Sequence, residues 1–105
     1  MTGQYVRVCA LSDMKEGEVR TVEINDRPIV LVRYEGVIYA LDDLCTHDGG
    51  SLGDGGAIGG EIVCPRHGAR FDIKTGAATR MPAVYGIQTY DVKVEGNDVF
   101  VGIEE

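Results

Sequence analysis

Apolar and polar positions alternate in short runs along most of the chain, and no stretch sustains the i, i+3, i+4 spacing of an amphipathic helix. Tyr5 to Ala10, Glu18 to Ile24, Pro28 to Tyr34, Val37 to Asp42, Gln88 to Val94 and Val99 to Ile103 are rich in Val, Ile and Tyr and are bounded by turn residues, a pattern that predicts strands. Glu61 to Val63 predicts a shorter one. Glu35-Gly36 and Glu95-Gly96-Asn97-Asp98 separate successive strands and offer Gly or Asn for positive φ, so both junctions read as hairpins and the sheet as largely antiparallel. Ser12 to Gly17 predicts a single helical turn with Ser12 or Asp13 as its cap. Pro28 is tolerable near the start of its strand, where no N–H need be donated. The expected class is all-β, a sandwich or small barrel of short strands.

The middle of the chain breaks this rhythm, with seven glycines among the twelve positions from Gly49 to Gly60. A flexible linker would look like this; so would a tightly turning connection in which glycine permits close backbone approach to something bulky, anchored by Leu52, Ala57 and Ile58. Neither a dinucleotide-binding nor a phosphate-binding glycine pattern is present.

With 105 residues the chain is expected to form one domain, and its ordinary share of apolar and charged residues suits a folded one. A formal charge of -7 disfavours nucleic acid as a partner, because phosphate binding relies on clustered Lys and Arg. The first residues show neither an export signal nor a membrane span, which makes the cytoplasm the expected compartment and a membrane an unexpected partner. Three cysteines are an odd number with no disulfide framework, so reduced thiols are expected. Cys9 lies within a strand-like alternation and reads as a small core residue.

The remaining cysteines pair with both histidines: Cys45-Thr46-His47 is a C-x-H pair and Cys64-Pro65-Arg66-His67 a C-x-x-H pair. Each follows a predicted strand, so two loops can face each other, with Gly49, Gly50 and Gly68 permitting tight turns and Pro65 stiffening the second. Two thiolates and two imidazoles suit tetrahedral zinc or an iron-sulfur centre with sulfur on one iron and nitrogen on the other. The C-x-H spacing fits neither a zinc ribbon nor a zinc finger well. A catalytic thiol activated by His47 or His67 would leave two ligand-type residues unexplained.

C-x-H followed after sixteen residues by C-x-x-H and Gly68 resembles the Rieske [2Fe-2S] signature, and the resemblance runs over nearly the whole chain, through Pro82-Ala83 to the segment Tyr90-Asp91-Val92-Lys93-Val94-Glu95-Gly96. It implies one Rieske-type [2Fe-2S] cluster per chain, with Cys45 and Cys64 on one iron and His47 and His67 on the other. It also implies a single Rieske domain over 1–105, an antiparallel β-sandwich carrying an inserted cluster-binding subdomain at about 43–80, with Met81-Pro82 matching a proline loop that covers the cluster.

Neutral imidazoles in place of two thiolates leave the oxidised cluster less negative, which places such centres at about -150 to +300 mV against roughly -400 mV for plant-type ferredoxins. High-potential members carry an extra cysteine in each loop, where this chain has Gly50 and Arg66, and a Ser and a Tyr hydroxyl, where it has Ala69 and Phe71. A low potential is therefore expected. The free ring nitrogens of His47 and His67 would face solvent or a partner, so the potential should fall with pH once the oxidised-state pKa is passed. Asp48 and Arg66 could rim that surface, and carboxylates such as Asp13, Glu16, Glu18, Asp42, Asp43, Glu104 and Glu105 could steer a basic partner.

The resemblance implies a soluble, monomeric one-electron carrier with no substrate chemistry of its own. It would run between a flavin- or NAD(P)H-dependent ferredoxin reductase and a terminal oxygenase, as in aromatic-ring dioxygenase systems. The alternative is a Rieske-like small subunit of a larger reductase, such as assimilatory nitrite reductase. A terminal oxygenase itself would need spare histidines for a second iron, and both histidines are already used.

Overall fold

The computed structural model describes residues 3–43, 52–53, 55–65, 68–81 and 85–104. These form eleven strands: β1 Gly3–Ala10, β2 Val19–Ile24, β3 Arg27–Tyr34, β4 Val37–Asp42, β5 Ala57–Ile58, β6 Glu61–Val63, β7 Arg70–Asp72, β8 Ala78–Arg80, β9 Thr89–Tyr90, β10 Val92–Glu95 and β11 Asp98–Glu104. All pairings are antiparallel, in three sheets ordered β1-β11-β10, β2-β3-β4-β9 and β5-β6-β7-β8.

The second sheet is the middle layer. Along β3, Ile29 and Leu31 pack with Cys9, Val99, Val101 and Ile103 of the first sheet, whereas Val30 and Val32 pack with Ile62, Phe71 and Ile73 on the side of the third. All four β3 side chains are fully buried. Burial on both faces explains why Ile29 to Val32 is a continuous apolar run instead of an alternation. It also makes Cys9 the core residue its pattern indicates; burial is the main cause pushing its thiol pKa up.

The expected hairpin at Glu35-Gly36 is present, with φ of 53° and 79° at its two central residues. An Asn25-Asp26 turn of the same kind joins β2 to β3, with φ of 52° and 65°. The helical turn is a single 3-10 turn, Leu11–Asp13, shorter and earlier than the sequence pattern suggests. Asp13 caps it by accepting the Ala10 N–H at 3.1 Å, and Arg33 Nη1 clips it by donating to the carbonyls of Leu11 and Met14 at 3.2 and 2.7 Å.

The predicted strand Gln88 to Val94 divides at Asp91. Tyr90 pairs with Ala40 in the second sheet and Val92 with Val101 in the first, while the Asp91 carbonyl accepts the Gly102 N–H at 2.8 Å. The chain thus steps between layers at one residue, which an unbroken β pattern does not reveal. The Tyr90 hydroxyl donates to the Asp42 carboxylate across the β4–β9 edge. Among the described residues no helix is long and apolar enough to cross a membrane.

The Glu35-Gly36 hairpin is pinned from outside by the Glu16 carboxylate, which accepts the N–H groups of Gly36 and Glu35 at 2.9 and 2.6 Å. These bonds favour the ionised acid, Gly36 first and then Glu35, and hold its pKa below the ordinary 4.5. A pKa lower in the folded than in the unfolded chain gives stability that is present above 4.5 and lost as pH falls through the folded value. Glu16→Gln is therefore expected to lower the melting temperature at neutral pH and to flatten its decline in acid. Melting curves of both proteins from neutral pH into the acid range check this, and parallel curves would refute it.

Candidate metal centre

Of the four expected ligands, Cys64 lies among the described residues; Cys45, His47 and His67 lie outside them. Cys64 directly follows β6, forms no disulfide and is 1% exposed, packed with Leu52, Ile62, Ala69 and Phe71. Its backbone closes a tight turn at both ends. The Cys64 N–H donates to the Ala69 carbonyl at 2.7 Å, and the Gly68 N–H donates to the Cys64 carbonyl at 3.1 Å. Gly68 has φ +76°, as the turn requires. A thiol held by such a turn, out of water and without a covalent partner, fits a thiolate ligand.

The stems of the two ligand-bearing loops are braced together. β4 ends at Asp42, and the next residue, Asp43, is 8% exposed. Its Oδ1 accepts the N–H groups of Leu52 and Gly53 at 2.7 and 2.9 Å, so one carboxylate ties the entry of the Cys45-Thr46-His47 loop to its exit. Beyond that exit, Gly55 runs against the second stem. A Cβ there would lie 1.7 Å from the Val63 carbonyl oxygen and 3.0 Å from Pro65 Cδ. The Val63 N–H donates to the Gly56 carbonyl at 3.0 Å. For residues 52–53 and 55–60 the linker reading does not hold: Leu52 is buried and Ala57 packs against the core, although Ile58, expected as a third anchor, is 58% exposed.

These contacts change the role of several acids. Asp43 holds the loop. Asp13 and Glu16 accept the backbone N–H groups described above, Glu18 accepts the Lys15 N–H at 2.9 Å and pairs with Arg20, and Asp42 accepts from Tyr90. Five of the seven carboxylates expected to steer a basic partner are thus engaged in local structure. The Glu104 side chain and Glu105 lie outside the described residues, as do Asp48, Gly49, Gly50, Arg66 and Pro82. The sequence marks Asp43 only as a steering carboxylate and does not single out Gly55: an aspartate two positions before Cys45 and one glycine among seven carry no local signal of a bracing role.

Ala69 and Phe71 are both fully buried against the same core as Cys64, so neither position offers a hydroxyl. Met81 is largely exposed, and further along the Ile87 N–H donates at 2.8 Å to the carbonyl of Gly76, in the turn between β7 and β8. Gly76 has φ +78°, and a Cβ on it would sit 2.1 Å from the Ile87 oxygen. Two thiolates, two imidazoles and this braced, partly apolar turn fit a mixed sulfur and nitrogen iron-sulfur centre.

Comparison with known proteins agrees. The family described as Rieske [2Fe-2S] domain matches residues 4–91. The ferredoxin component of the naphthalene 1,2-dioxygenase/salicylate 5-hydroxylase systems of Ralstonia sp is 42% identical over 104 residues, covering 99% of this chain and 100% of that protein. The ferredoxin of carbazole 1,9a-dioxygenase from Nocardioides aromaticivorans IC177 superposes with a TM-score of 0.89 at 35% identity, over 92% of this chain and 95% of that one. In a solved complex of reduced oxygenase and oxidized ferredoxin in carbazole 1,9a-dioxygenase, the matching chain has a TM-score of 0.87 at 35% identity, with 92% and 91% covered. Structures named as nitrite reductase small subunits are 24% and 20% identical, a likeness that shows the fold alone.

Proposed function

Because this chain belongs to the Rieske [2Fe-2S] domain family, we propose that it is the ferredoxin component of an aromatic-ring dioxygenase system, carrying single electrons from a reductase to a terminal oxygenase. It performs no substrate chemistry. The observation that carries the reading is 42% identity to a dioxygenase ferredoxin over essentially the full length of both chains, joined to a buried, unbonded Cys64 on a braced turn.

In this reading Cys45 and Cys64 hold one iron and His47 and His67 the other, within a single Rieske domain over 1–105 whose cluster-binding part spans about 43–80. Bound there, the cluster supplies one reversible electron at a time. In the same reading Cys64 and its turn keep the sulfur side dry, the imidazoles are the edge through which a partner would be reached, and Met81-Pro82 is the segment that would cover it. The chain works as a cytoplasmic monomer, and its donor is a flavin- or NAD(P)H-dependent ferredoxin reductase.

The purified protein is expected to be red-brown with acid-labile sulfide, and to pass electrons from such a reductase to a ring-hydroxylating oxygenase. Cys64→Ala should be colourless. Absence of sulfide in the wild type sinks the cluster. A stable complex with a reductase catalytic subunit, instead of exchange between two partners, would favour the accessory-subunit alternative.

Without a hydroxyl at Ala69 or Phe71, the reduced, more negative centre lacks two stabilising donors, each of about 1–3 kcal/mol. The midpoint potential should therefore lie near the lower end of the family range, about -150 mV. Ala69→Ser is expected to raise it by roughly 40–130 mV, the same energy for one electron. A wild-type redox titration well above zero would overturn this account.

A further inference from the structure

Among the described residues Asp43 is the one buried side chain that carries a charge. An ionised group out of water is costly unless its bonds are made. Here the N–H groups of Leu52 and Gly53 converge on Oδ1, and the Asp43 N–H donates to the Pro28 carbonyl at 3.1 Å, which fixes the residue from both sides. Bracing alone does not call for a carboxylate. An asparagine would offer a carbonyl oxygen to the same two donors without the desolvation of a charge. What the carboxylate adds over that amide is a fixed negative charge.

The charge belongs to the framework of the candidate metal centre. Asp43 is two residues before Cys45, which limits the separation of their Cα atoms to about 7 Å. Leu52, whose N–H it accepts at 2.7 Å, shares a core with Cys64. A buried carboxylate beside both cysteine-bearing segments acts on them through protein and not through solvent, where it is screened far less. On the second stem Arg70 pairs with Glu61 at 3.4 Å, so those two charges largely offset each other.

Reduction of the centre adds one electron from the reductase and makes or breaks no bond, so its equilibrium responds directly to nearby charge. We propose that Asp43 sets the potential as well as the loop: its negative charge opposes the added electron and holds the midpoint low. This rests on the carrier reading above and acts apart from the missing hydroxyls at Ala69 and Phe71.

A second position gives access to the same charge without disturbing the clamp. A Cβ on Gly53 would lie 2.1 Å from Thr21 Cγ2 and 3.6 Å from Asp43 Oδ2, so the exposed Thr21 side chain on β2 stands close to that oxygen. A lysine there would keep carbon where the methyl group is, bring an ammonium near the carboxylate and leave both Oδ1 bonds in place.

The test is a redox titration of the cluster-loaded full chain, with iron and sulfide per chain measured beside it so that the potential is read on assembled clusters. Asp43→Asn is expected to shift the one-electron equilibrium against a reference couple about tenfold toward the reduced form, which is a rise of roughly 59 mV. Thr21→Lys should shift it the same way, about threefold at low salt. That shift should fade in 1 M salt, where the screening length is about 3 Å, whereas the shift in Asp43→Asn should persist because the charge it removes is buried. Glu16→Gln makes the same charge change at the opposite end of β4 and should leave the potential unmoved.

An unchanged or lower potential in Asp43→Asn with its cluster in place would overturn this role while leaving the clamp and the carrier intact. If Asp43→Asn holds too little cluster to titrate, Thr21→Lys decides: no shift at low salt, or a shift that survives high salt as altered packing would, overturns it. A wild type without acid-labile sulfide would overturn the carrier reading and this inference with it.

Discussion

Gly55→Ala is expected to leave most of the protein without its cluster. The added methyl group would lie 1.7 Å from the Val63 carbonyl oxygen and 2.8 Å from its carbon, and both neighbours are backbone. No side chain can swing aside, so the 52–56 stem must move away from the 63–65 stem. Those stems carry the exit of one ligand loop and the entry of the other. Overpacking in a well-filled site costs about 1–3 kcal/mol and occasionally more, and a backbone-on-backbone clash belongs at the upper end. A loss of about 3 kcal/mol corresponds to a melting temperature lower by roughly 12–24 °C in a domain of this size.

The matched control is Gly17→Ala, where φ is +82° but nothing lies within 4 Å. That variant meets only left-handed backbone strain, about 1–2 kcal/mol, and should keep its iron. Iron and sulfide per chain, measured beside thermal melting, decide the matter. Full cluster content and near-normal melting in Gly55→Ala would show that the stems do not press together there.

The second large effect is expected at Asp43. Asp43→Ala removes the acceptor of two N–H groups, those of Leu52 and Gly53, and Leu52 is fully buried. Leaving a buried donor unpaired costs about 1–3 kcal/mol, and the lost bonds were to a charged acceptor, the stronger kind. A combined loss of about 2–5 kcal/mol follows, a large fraction of the stability of a small domain.

Asp43→Asn keeps one carbonyl oxygen where the two amides converge and should recover part of the loss. The order wild type, Asn, Ala in denaturant midpoint and in retained iron is the expected outcome. Equal values for Asn and Ala would mean that the carboxylate's charge, and not its acceptor geometry, holds the loop.

Both residues mark what could be read in advance and what could not. C-x-H and C-x-x-H are local spacings, and their chemistry needs only that four donors of the right kind be present. Cys64 is where that reasoning meets described structure, buried on a turn after a strand as the pattern implied. The bracing was not legible: Asp43 bonds to residues nine and ten positions on, and Gly55 presses on a strand eight positions away, with several equivalent glycines nearby. The same holds for the strands. Alternation located β1, β2, β4 and β11, but β7 and β8 are three residues each, too short to show a period. The step between sheets at Asp91 lies inside an unbroken β pattern.

From sequence alone came the donor set, the strand class and the family likeness, because ligand identity and period-two patterning are properties of neighbours along the chain. Tertiary structure decided that Ile29 to Val32 is buried on both faces, that one carboxylate clamps the first loop, and that Gly55 presses on the stem of the second. These depend on which distant backbone segments share a layer. Close packing and burial arise where surfaces meet, and the order of residues does not state where that is.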